Sequence, residues 1–459
     1  MNNHQSTIFH QIENCLKTPL TLLGVDLKNF QFNKICHFAN HPYLYKGLYM
    51  KFSKIVTSIL LLASSSSYAQ SNYQWVQMVP NNQLSIRVVL LDDTQCPKVE
   101  VNNKSHLMTL RADKTADFPA VCELLVGRDT YSIKINQHSL PTLPSQIDRV
   151  AILGDTGCRI KNNSVQACND IEAWPFRTLS ASLAAKTADV VLHVGDYLYR
   201  ESPCPKGNAG CKGSPSGYNW DTWNADWFAP ANPLLQSAVM AFARGNHEDC
   251  NRAYNGWFRY LSPWAYQAKA QKCTEMENPY ILTLKGVNYI IFDSSYGKDS
   301  STSDAQLALY IAAIKQLQLD KNLTYVLLTH RAMWTYNKMK SKYYYGNLTQ
   351  QIAFKDLLPS NTLFMAGHAH YLQTLDMQSD YDQLVIGNGG TQLIKVGNTI
   401  QKSVDIDKHL ANFVYSRSGF GYSILSNIDK KFRFYNQNGT HIGECVWLLD
   451  KQQSSLSCQ

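Results

Sequence analysis

Residues 189–199 read Asp189-Val-Val-Leu-His-Val-Gly-Asp-Tyr-Leu-Tyr199. The valine-rich apolar run is typical of a buried β-strand, and the Gly-Asp that ends it is typical of a turn. In open α/β sheets, functional side chains gather in the loops beyond the carboxyl ends of the strands. This stretch therefore predicts an α/β fold in which Asp196 lies at the end of a central strand, ready to act as a ligand.

Four more apolar runs end in the same way. They lead into Gly154-Asp155-Thr156-Gly157, Gly245-Asn246-His247-Glu248, Leu327-Leu328-Thr329-His330 and Gly367-His368-Ala369-His370. Each motif alone is more often structural, since Gly-Asp turns and loop histidines are common. Five such motifs at strand ends supply enough oxygen and nitrogen ligands for two metal ions that share a site. Such a site is suited to the hydrolysis of phosphate esters.

The N-terminal part predicts export. From Met50 a charged start, an apolar run over residues 55–63 and the small-residue site Ser67-Tyr68-Ala69 follow the pattern of a secretory signal peptide. We therefore expect residues 1–49 to be an upstream extension without a structural role, residues 50–69 to be a signal peptide, and the protein to be periplasmic or extracellular. The apolar run is too short to span a membrane, so we expect no stable membrane anchor.

Cysteine usage agrees with export. Ten of the twelve cysteines follow residue 69, an even number suited to disulfides in an oxidising compartment. Spacing does not fix connectivity, but the cysteines fall into sequential couples, which is the pairing we expect. These couples are Cys96 with Cys122, Cys158 with Cys168, Cys204 with Cys211, Cys250 with Cys273, and Cys445 with Cys458.

The charge distribution excludes one class of partner. The formal net charge is +8, and residues 1–69 hold six lysines and two acidic residues, so half of the charge precedes the expected mature chain. The sequence contains no stripe of Lys and Arg residues of the kind that is typical of nucleic-acid-binding proteins. We therefore expect a small phosphorylated substrate and no nucleic acid. The oligomeric state is left open.

Changes in periodicity divide the chain. Residues 70–145 carry short alternating β patterns that end in the Pro-containing stretch 138–145, which predicts a β-sandwich-like module and a linker. Residues 146–459 alternate strands with helices and form the expected catalytic domain. The clearest helix follows Ser303, which has capping-box spacing to Gln306. The C-terminal strands, over residues 420–448, are expected in the second sheet of this domain.

Over residues 148–372 the motifs resemble those of the calcineurin-like metallophosphoesterase superfamily. Tyr199, within Gly-Asp-x-x-Tyr, makes the set similar to the purple acid phosphatase branch. The resemblance implies a four-layer α/β/β/α metallophosphoesterase sandwich, here preceded by the small all-β N-terminal module. It also implies an acid phosphatase-like enzyme that hydrolyses phosphate monoesters by in-line attack of a metal-bound hydroxide.

The resemblance assigns roles residue by residue. One metal ion would be bound by Asp155, Asp196, Tyr199 and His370, and the second by Asp196, Asn246, His330 and His368. His247 would lie beside the leaving group as general acid or hydrogen-bond donor. A phenol with a pKa of about 10 needs a strongly acidic cation to bind as phenolate. The implied metals are therefore Fe(III) with a divalent ion such as Zn, Mn or Fe.

The chain departs from the branch in two places. Leu327 stands where valine is usual, and the further histidines that commonly follow the fourth motif are missing. Candidate phosphate contacts are therefore Arg244, Arg252 and Arg331, although each is also a candidate for a structural ion pair. The Trp220–Trp227 aromatic cluster has two interpretations, a substrate cleft or plain packing.

Three other functions remain open. A phosphodiesterase for nucleotides or lipid head groups would use the same scaffold. A non-catalytic metal-binding surface protein is the alternative outside enzymes, and the complete ligand set argues against it. Gly-Asp-Tyr-x-Tyr also occurs in PhoD-like alkaline phosphatases, but their Trp-Asp-Asp-His type motif is missing from this sequence, whereas Gly245-Asn-His-Glu248 is present.

Overall fold

A computed structural model describes residues 73–92, 95–267, 273–339, 342–343, 346–378, 381–449 and 454–459. Residues 70–459 form one compact unit. The predictions for residues 1–49 and 50–69 lie outside the described residues. Among the helices of the described part, none has the length and apolar character needed to cross a membrane.

Twenty-seven strands lie in the described residues. In chain order they are β1 (Tyr73–Val79), β2 (Gln83–Leu90), β3 (Lys98–Val101), β4 (Lys104–Leu107), β5 (Thr109–Ala112), β6 (Ala120–Gly127), β7 (Ile133–Ile135), β8 (His138–Leu140), β9 (Arg149–Leu153), β10 (Ile160–Lys161), β11 (Ser164–Val165), β12 (Val190–His193), β13 (Val239–Phe242), β14 (Tyr280–Leu284), β15 (Val287–Ile291), β16 (Tyr325–Leu328), β17 (Lys338–Met339), β18 (Lys342–Tyr343), β19 (Leu363–Ala366), β20 (Leu372–Met377), β21 (Gln383–Ile386), β22 (Thr399–Ile406), β23 (His409–Arg417), β24 (Gly421–Ser426), β25 (Lys431–Asn436), β26 (His441–Leu449) and β27 (Ser454–Cys458).

Helices are short and few in the same residues. The α-helices are α1 (Phe176–Ala184), α2 (Trp220–Trp223), α3 (Ala229–Leu235), α4 (Tyr254–Gly256), α5 (Asp304–Lys315) and α6 (Leu348–Ala353), with π-helical turns at Asn224–Phe228 and Trp257–Leu261 and a 3-10 turn at Asn246–Glu248. Helix α5 begins as predicted, because the Ser303 hydroxyl accepts a hydrogen bond from the Gln306 amide at 3.3 Å.

Two large sheets form the framework. The first has eleven strands in the order β27-β26-β25-β24-β9-β12-β13-β1-β2-β6-β5, and the second has eight in the order β14-β15-β16-β19-β21-β20-β23-β22. Strands β9, β12 and β13 are parallel to one another, as are β15, β16, β19 and β21. Their continuous apolar runs suit parallel strands that are covered on both faces.

Side-chain alternation along these strands produces four layers. Val150 and Ile152 on β9 share a buried cluster with Val326 and Leu328 on β16, so the two sheets pack face to face. The intervening side chains point the other way, since successive strand residues face opposite sides. Ala151 and Leu153 pack with Phe176, Leu179 and Leu183 of α1, and Ile290 and Leu327 pack with Tyr310 and Ile314 of α5. The predicted α/β/β/α sandwich is confirmed.

The N-terminal region differs from a free-standing β-sandwich module. Strand β1 runs parallel to β13, with Gln77 opposite Met240, so β1, β2, β6 and β5 extend the first sheet of the catalytic domain. Strands β3, β4, β7 and β8 form a separate small sheet, and β8 lies within the stretch 138–145 that was predicted as a linker. Trp75 on β1 packs against Phe228 in a buried cluster that also holds Trp227 and Phe242, so this strand does not belong to a separate module.

The C-terminal strands also differ from their predicted place. Strand β24 pairs antiparallel with β9, with Ile424 opposite Ala151, so β24–β27 belong to the first sheet and not to the second. Local alternation predicts that neighbouring strands pair with each other. It does not indicate which edge of which sheet they extend, because that depends on contacts more than two hundred residues apart.

Candidate metal centre

All five motifs meet at one edge of the two sheets. Asp155 follows β9, Asp196 follows β12 and Asn246 follows β13, while His330 follows β16 and His368 follows β19. The first two turns are tied together, because the Asp155 amide donates to the Gly195 carbonyl at 3.0 Å. The carboxyl ends of parallel strands from both sheets therefore deliver the predicted ligands to one place.

A first group of ligand atoms surrounds the Tyr199 hydroxyl. Its oxygen lies 2.9 Å from Asp155 Oδ1, 2.7 Å from Asp196 Oδ2 and 3.1 Å from His370 Nε2. Asp155, Tyr199 and Asp196 are almost completely inaccessible to solvent, and His370 is buried beside them. These four residues are the set that the family resemblance implies for one metal ion.

A second group shares Asp196. His330 Nε2 lies 3.1 Å from Asp196 Oδ2 and 3.1 Å from Asn246 Oδ1. Asp196, His330 and His368 each offer a ligand atom, and these atoms all lie within 4.8 Å of one another. The seven predicted ligands are thus brought together in two groups, with Asp196 common to both.

The turns that carry the ligands have unusual backbone conformations. Asp155, Asp196 and His368 have positive φ angles of 57°, 62° and 68°. At Gly195 φ is 100°, which favours glycine, and a side chain at Gly245 would collide with the backbone of Asp196. The glycines of the motifs therefore allow neighbouring turns to approach closely enough for their ligands to meet.

The three ligand histidines are held through their other ring nitrogens. His330 Nδ1 lies 2.8 Å from the Val194 carbonyl, and His370 Nδ1 lies 2.9 Å from the Gln392 carbonyl. His368 Nε2 lies 2.9 Å from Asp299 Oδ2, which leaves Nδ1 as the nitrogen available to a metal ion. Such contacts orient the ring of a metal-binding histidine and fix its tautomer.

His247 is held beside the ligands by a carboxylate. Its Nδ1 lies 2.6 Å from Glu201 Oε1, its Nε2 lies 4.0 Å from Asp196 Oδ2, and its ring packs on Tyr199 at 3.9 Å. Burial lowers the pKa of His247, although Asp196 and Glu201 act in the opposite direction. Burial opposes ionisation of Glu201, but His247, Lys161 and Arg252 together outweigh it and lower the pKa of Glu201 to about 2.

Two further side chains hold the motif turns. Glu248 accepts hydrogen bonds from the amides of Tyr197 and Leu198, and from Gly245 at 3.2 Å. Asp226 accepts from the Tyr199 amide at 2.8 Å and pairs with Arg200 at 2.6 Å. Both carboxylates join the second motif to segments that follow it, so the turn carrying Asp196 and Tyr199 is fixed from two sides.

The three candidate phosphate-binding arginines lie in different environments. Arg331 lies close to the ligands, with Nη1 3.3 Å from His368 Nε2 and 2.9 Å from both Asp299 oxygens. Arg252 is half-buried, 3.6 Å from Glu201. Arg244 differs from the expectation of a substrate contact, because it is 1 % exposed and bonds to Asp293 and the Glu248 and Thr274 carbonyls.

The aromatic cluster packs the fold. Trp223, Trp227, Phe228 and Trp257 are almost fully buried in the layer that covers the outer face of the first sheet. Trp220 and Phe258 are partly buried against the same cluster. The burial of Trp223, Trp227, Phe228 and Trp257 therefore supports the packing interpretation for these four rings.

All five predicted disulfides are present. They join Cys96 to Cys122, Cys158 to Cys168, Cys204 to Cys211, Cys250 to Cys273, and Cys445 to Cys458. Cys158 directly follows the first motif, and Cys204 lies three residues after Glu201. Two of the bridges thus close loops that begin three residues after Asp155 and Glu201, and they pack against each other in one small buried cluster.

The donor set fits metal ions. Among the residues that the structure describes, neither Asp155 nor Asp196 forms an ion pair with Lys or Arg; the neighbours of both are histidines and Tyr199. Two buried carboxylates without a fixed positive charge are costly, and cations bound between them would offset that cost. Carboxylate, phenol, amide and imidazole donors suit Fe, Zn and Mn, and they do not distinguish among these metals.

Two residues of the site were missed by the motifs, Glu201 and Asp299. Glu201 follows Tyr199 by two positions, so an extended pattern Gly-Asp-x-x-Tyr-x-Glu would have found it. Asp299 lies in the loop after β15, remote in sequence from His368 and Arg331, which it contacts. No sequence signal marks it, because its role depends on two loops that meet only in the folded chain.

Comparisons with known proteins agree with this geometry. The calcineurin-like phosphoesterase family matches residues 148–372. A purple acid phosphatase from yellow lupin (Lupinus luteus) seeds is similar in structure, with a TM-score of 0.54 and 13% identity over 81% of this chain and 73% of that one. A structure of PhoD is similar with a TM-score of 0.51 and 13% identity, over 84% of this chain and 91% of that one. No curated protein matches in sequence. Residues 148–372 thus match the calcineurin-like phosphoesterase family, and the protein is a metal-dependent phosphoric ester hydrolase.

Proposed function

We propose that the protein is an exported phosphatase that hydrolyses phosphate monoesters at a dinuclear metal centre. The observation that carries this proposal is the meeting of seven ligand residues from five strand ends around Asp196, with His247 beside them. One metal ion would be held by Asp155, Asp196, Tyr199 and His370. The other would be held by Asp196, Asn246, His330 and His368.

The metals and the chain contribute different parts of the reaction. When bound, the two ions lower the pKa of water, hold the phosphate group and offset the charge that develops in an in-line displacement. Because Nδ1 of His247 is occupied by Glu201, Nε2 is the nitrogen that faces the ligands. His247 Nε2 would therefore donate a hydrogen bond or a proton to the oxygen of the leaving alcohol. The Arg331 guanidinium, next to His368, is placed to contact a phosphate oxygen.

The Tyr199 hydroxyl supports Fe(III) as one of the two metals. It lies within hydrogen-bonding distance of three other ligand atoms, so it belongs to the site and does not merely border it. Burial and the two carboxylates raise the pKa of Tyr199, which further disfavours a free phenolate. A strongly Lewis-acidic ion is therefore needed to bind it, and the second ion would be Zn, Mn or Fe.

Export is supported by the five disulfides, which persist in oxidising compartments. The signal-peptide pattern over residues 50–69 supports it independently.

The function is tested by metal analysis together with two assays on protein expressed from Met50. We expect about two metal ions per chain, one of them iron, and faster hydrolysis of an aryl phosphate monoester than of the matching diester. The Asp196→Ala variant should lose both metal and turnover, because Asp196 belongs to both ligand groups. Retained turnover would remove the shared-ligand assignment, and diester preference would make the protein a phosphodiesterase.

A further inference from the structure

A cavity of about 500 Å³ opens next to the metal centre. Its walls include His368 and Asp299, so it begins at the proposed ligands and extends away from them. Small-molecule sites occupy about 300–1,000 Å³, so this cavity has the size of an organic group, beyond what a phosphate alone requires.

The wall of the cavity is mainly apolar. Ala332, Leu348, Ala369, Tyr371 and Ile394 contribute to it, together with neutral amide and hydroxyl side chains. Among the described residues that line it, there is no Lys or Arg. A negatively charged group that entered this space would lose water without gaining a cationic partner among the described lining residues, which is unfavourable.

The charged groups of the wall are carboxylates. Asp299 is already engaged, because Arg331, Asn347 and His368 all contact its oxygens within 3.2 Å. Asp407 is exposed and forms no ion pair with the other described residues. It occupies the first position of the two-residue turn between β22 and β23, with φ of 52°.

This turn is fixed against the cavity. The ring of His409, at the start of β23, packs on Trp334, with 4.4 Å between the ring centroids. Thr335, the residue after Trp334, lines the cavity. The hairpin of β22 and β23, fixed by the contact between His409 and Trp334, therefore holds Asp407 at the cavity wall. The cavity combines an apolar wall with one unneutralised negative charge.

We propose that this cavity binds the alcohol part of the ester, and that it selects organic groups that carry no negative charge, whether neutral or cationic. Polyanionic esters, such as nucleoside triphosphates or inorganic polyphosphate, are excluded by the same wall. The proposal rests on the proposed function and adds to it the chemical class of the leaving group, with Asp407 as the residue that determines charge preference.

The test uses three aryl phosphates that differ only in the para substituent: methyl, aminomethyl or carboxylate. We expect kcat/KM of the wild-type protein with its metals to be roughly tenfold lower for the carboxylate ester than for the aminomethyl ester, mainly through KM. In Asp407→Lys that ratio should shift by roughly tenfold toward the carboxylate ester. Asp405→Lys is the matched control, because Asp405 belongs to the same hairpin but does not line the cavity, and it should keep the wild-type ratio.

Equal kcat/KM values for the three esters would overturn the proposal, as would the same shift in both variants. Calorimetric binding of the three corresponding arylphosphonates, which cannot be hydrolysed, separates this inference from the proposed function. If the wild-type protein hydrolyses none of the esters, the proposed function fails. Binding of the phosphonates then still tests whether the cavity selects by charge. Weaker binding of the carboxylate analogue, reversed in Asp407→Lys, supports the inference. Equal binding of all three analogues contradicts it.

Discussion

Asp155, Asp196 and His368 adopt left-handed backbone conformations that cost about 1 kcal/mol each for residues other than glycine. Surrounding contacts hold them there. The carboxylate of Asp155, for example, accepts a hydrogen bond from the His368 amide at 2.8 Å, which links the first motif to the fifth. Each ligand turn thus stabilises another, and the site is assembled as a unit.

Tyr199→Phe should remove colour without unfolding the protein. Only the phenol oxygen is lost, so the far-UV circular dichroism spectrum should be unchanged, whereas a visible phenolate-to-Fe(III) absorption band should disappear. Tyr197→Phe is the control, because Tyr197 is also buried but donates its hydroxyl to the Ala243 carbonyl. A band that survives in Tyr199→Phe would show that another residue binds the iron. If the wild-type protein is colourless after oxidation, the Fe(III) assignment is wrong and the centre holds two divalent metals.

Glu201→Gln should lower kcat by about tenfold to a hundredfold and change KM little. Glu201 contacts His247 but lies on the far side of that ring from the ligands, so it positions the proton donor and does not bind substrate. The exposed Glu172, changed to Gln, is the control and should leave both constants unchanged. A rise in KM at constant kcat would argue instead for a role of Glu201 in substrate binding.

The sequence predicts the metal ligands well, but it predicts poorly the residues that position those ligands. Asp196 and Asn246 directly follow apolar runs, so the strand pattern itself indicates which edge of the sheet they occupy. Asp299 and Arg244 carry no such pattern, and their roles depend on which loop each guanidinium or carboxylate meets. Arg244 and Arg331 look equivalent in sequence. In the structure Arg244 pairs with Asp293 next to the third motif, whereas Arg331 borders the metal centre.

At the scale of elements, local sequence patterns indicate which strands and helices form, but they do not indicate which strands pair with one another. Helix α5 begins at its capping residue, and β9, β12 and β13 match their apolar runs. Strands β24 and β25 also lie within the stretch 420–448 in which the sequence predicts strands. Their attachment to β9 does not, because pairing between strands remote in sequence depends on the shape of the whole core.

A buried ion network joins the N-terminal strands to the catalytic domain. Arg87 on β2 and Arg111 on β5 pair with Glu123 on β6 at 2.9 and 3.0 Å. The same guanidiniums donate to backbone carbonyls of residues 258–264. Although burial opposes it, the two arginines lower the pKa of Glu123 to about 2.

This network predicts acid sensitivity. The folded-state pKa of Glu123 lies below its ordinary value of 4.5, so its stabilisation is present above that pH and is lost as pH falls toward about 2. Glu123→Gln should lower the free energy of unfolding by about 3 kcal/mol at pH 7, measured in urea with disulfides intact, and by much less near pH 2. Glu100→Gln, which breaks an exposed pair with Lys134, should change it by less than about 0.5 kcal/mol. A difference between Glu123→Gln and wild type that does not depend on pH would contradict this account.

At the scale of the whole molecule, the N-terminal strands are part of the catalytic domain. A chain shortened to residues 146–459 would leave β13 without its neighbour β1 and would remove the arginines that satisfy carbonyls of residues 258–264. We expect this chain to be insoluble or to lack a cooperative unfolding transition, in contrast to residues 70–459. A soluble protein with cooperative unfolding and a native-like near-UV spectrum would show that residues 70–145 form a dispensable module.

The pairing of β24 with β9 has a consequence for biosynthesis. Strand β9 carries the turn with Asp155, yet one of its two neighbours, β24, is made more than 260 residues later. A growing chain therefore cannot complete the first sheet around β9 until β24 has left the ribosome, and contacts so distant in sequence form slowly. Strand β9, which carries the turn with the first ligand, therefore lacks one neighbour until residues 421–426 have been made, so this part of the sheet stays open while the intervening residues are synthesised.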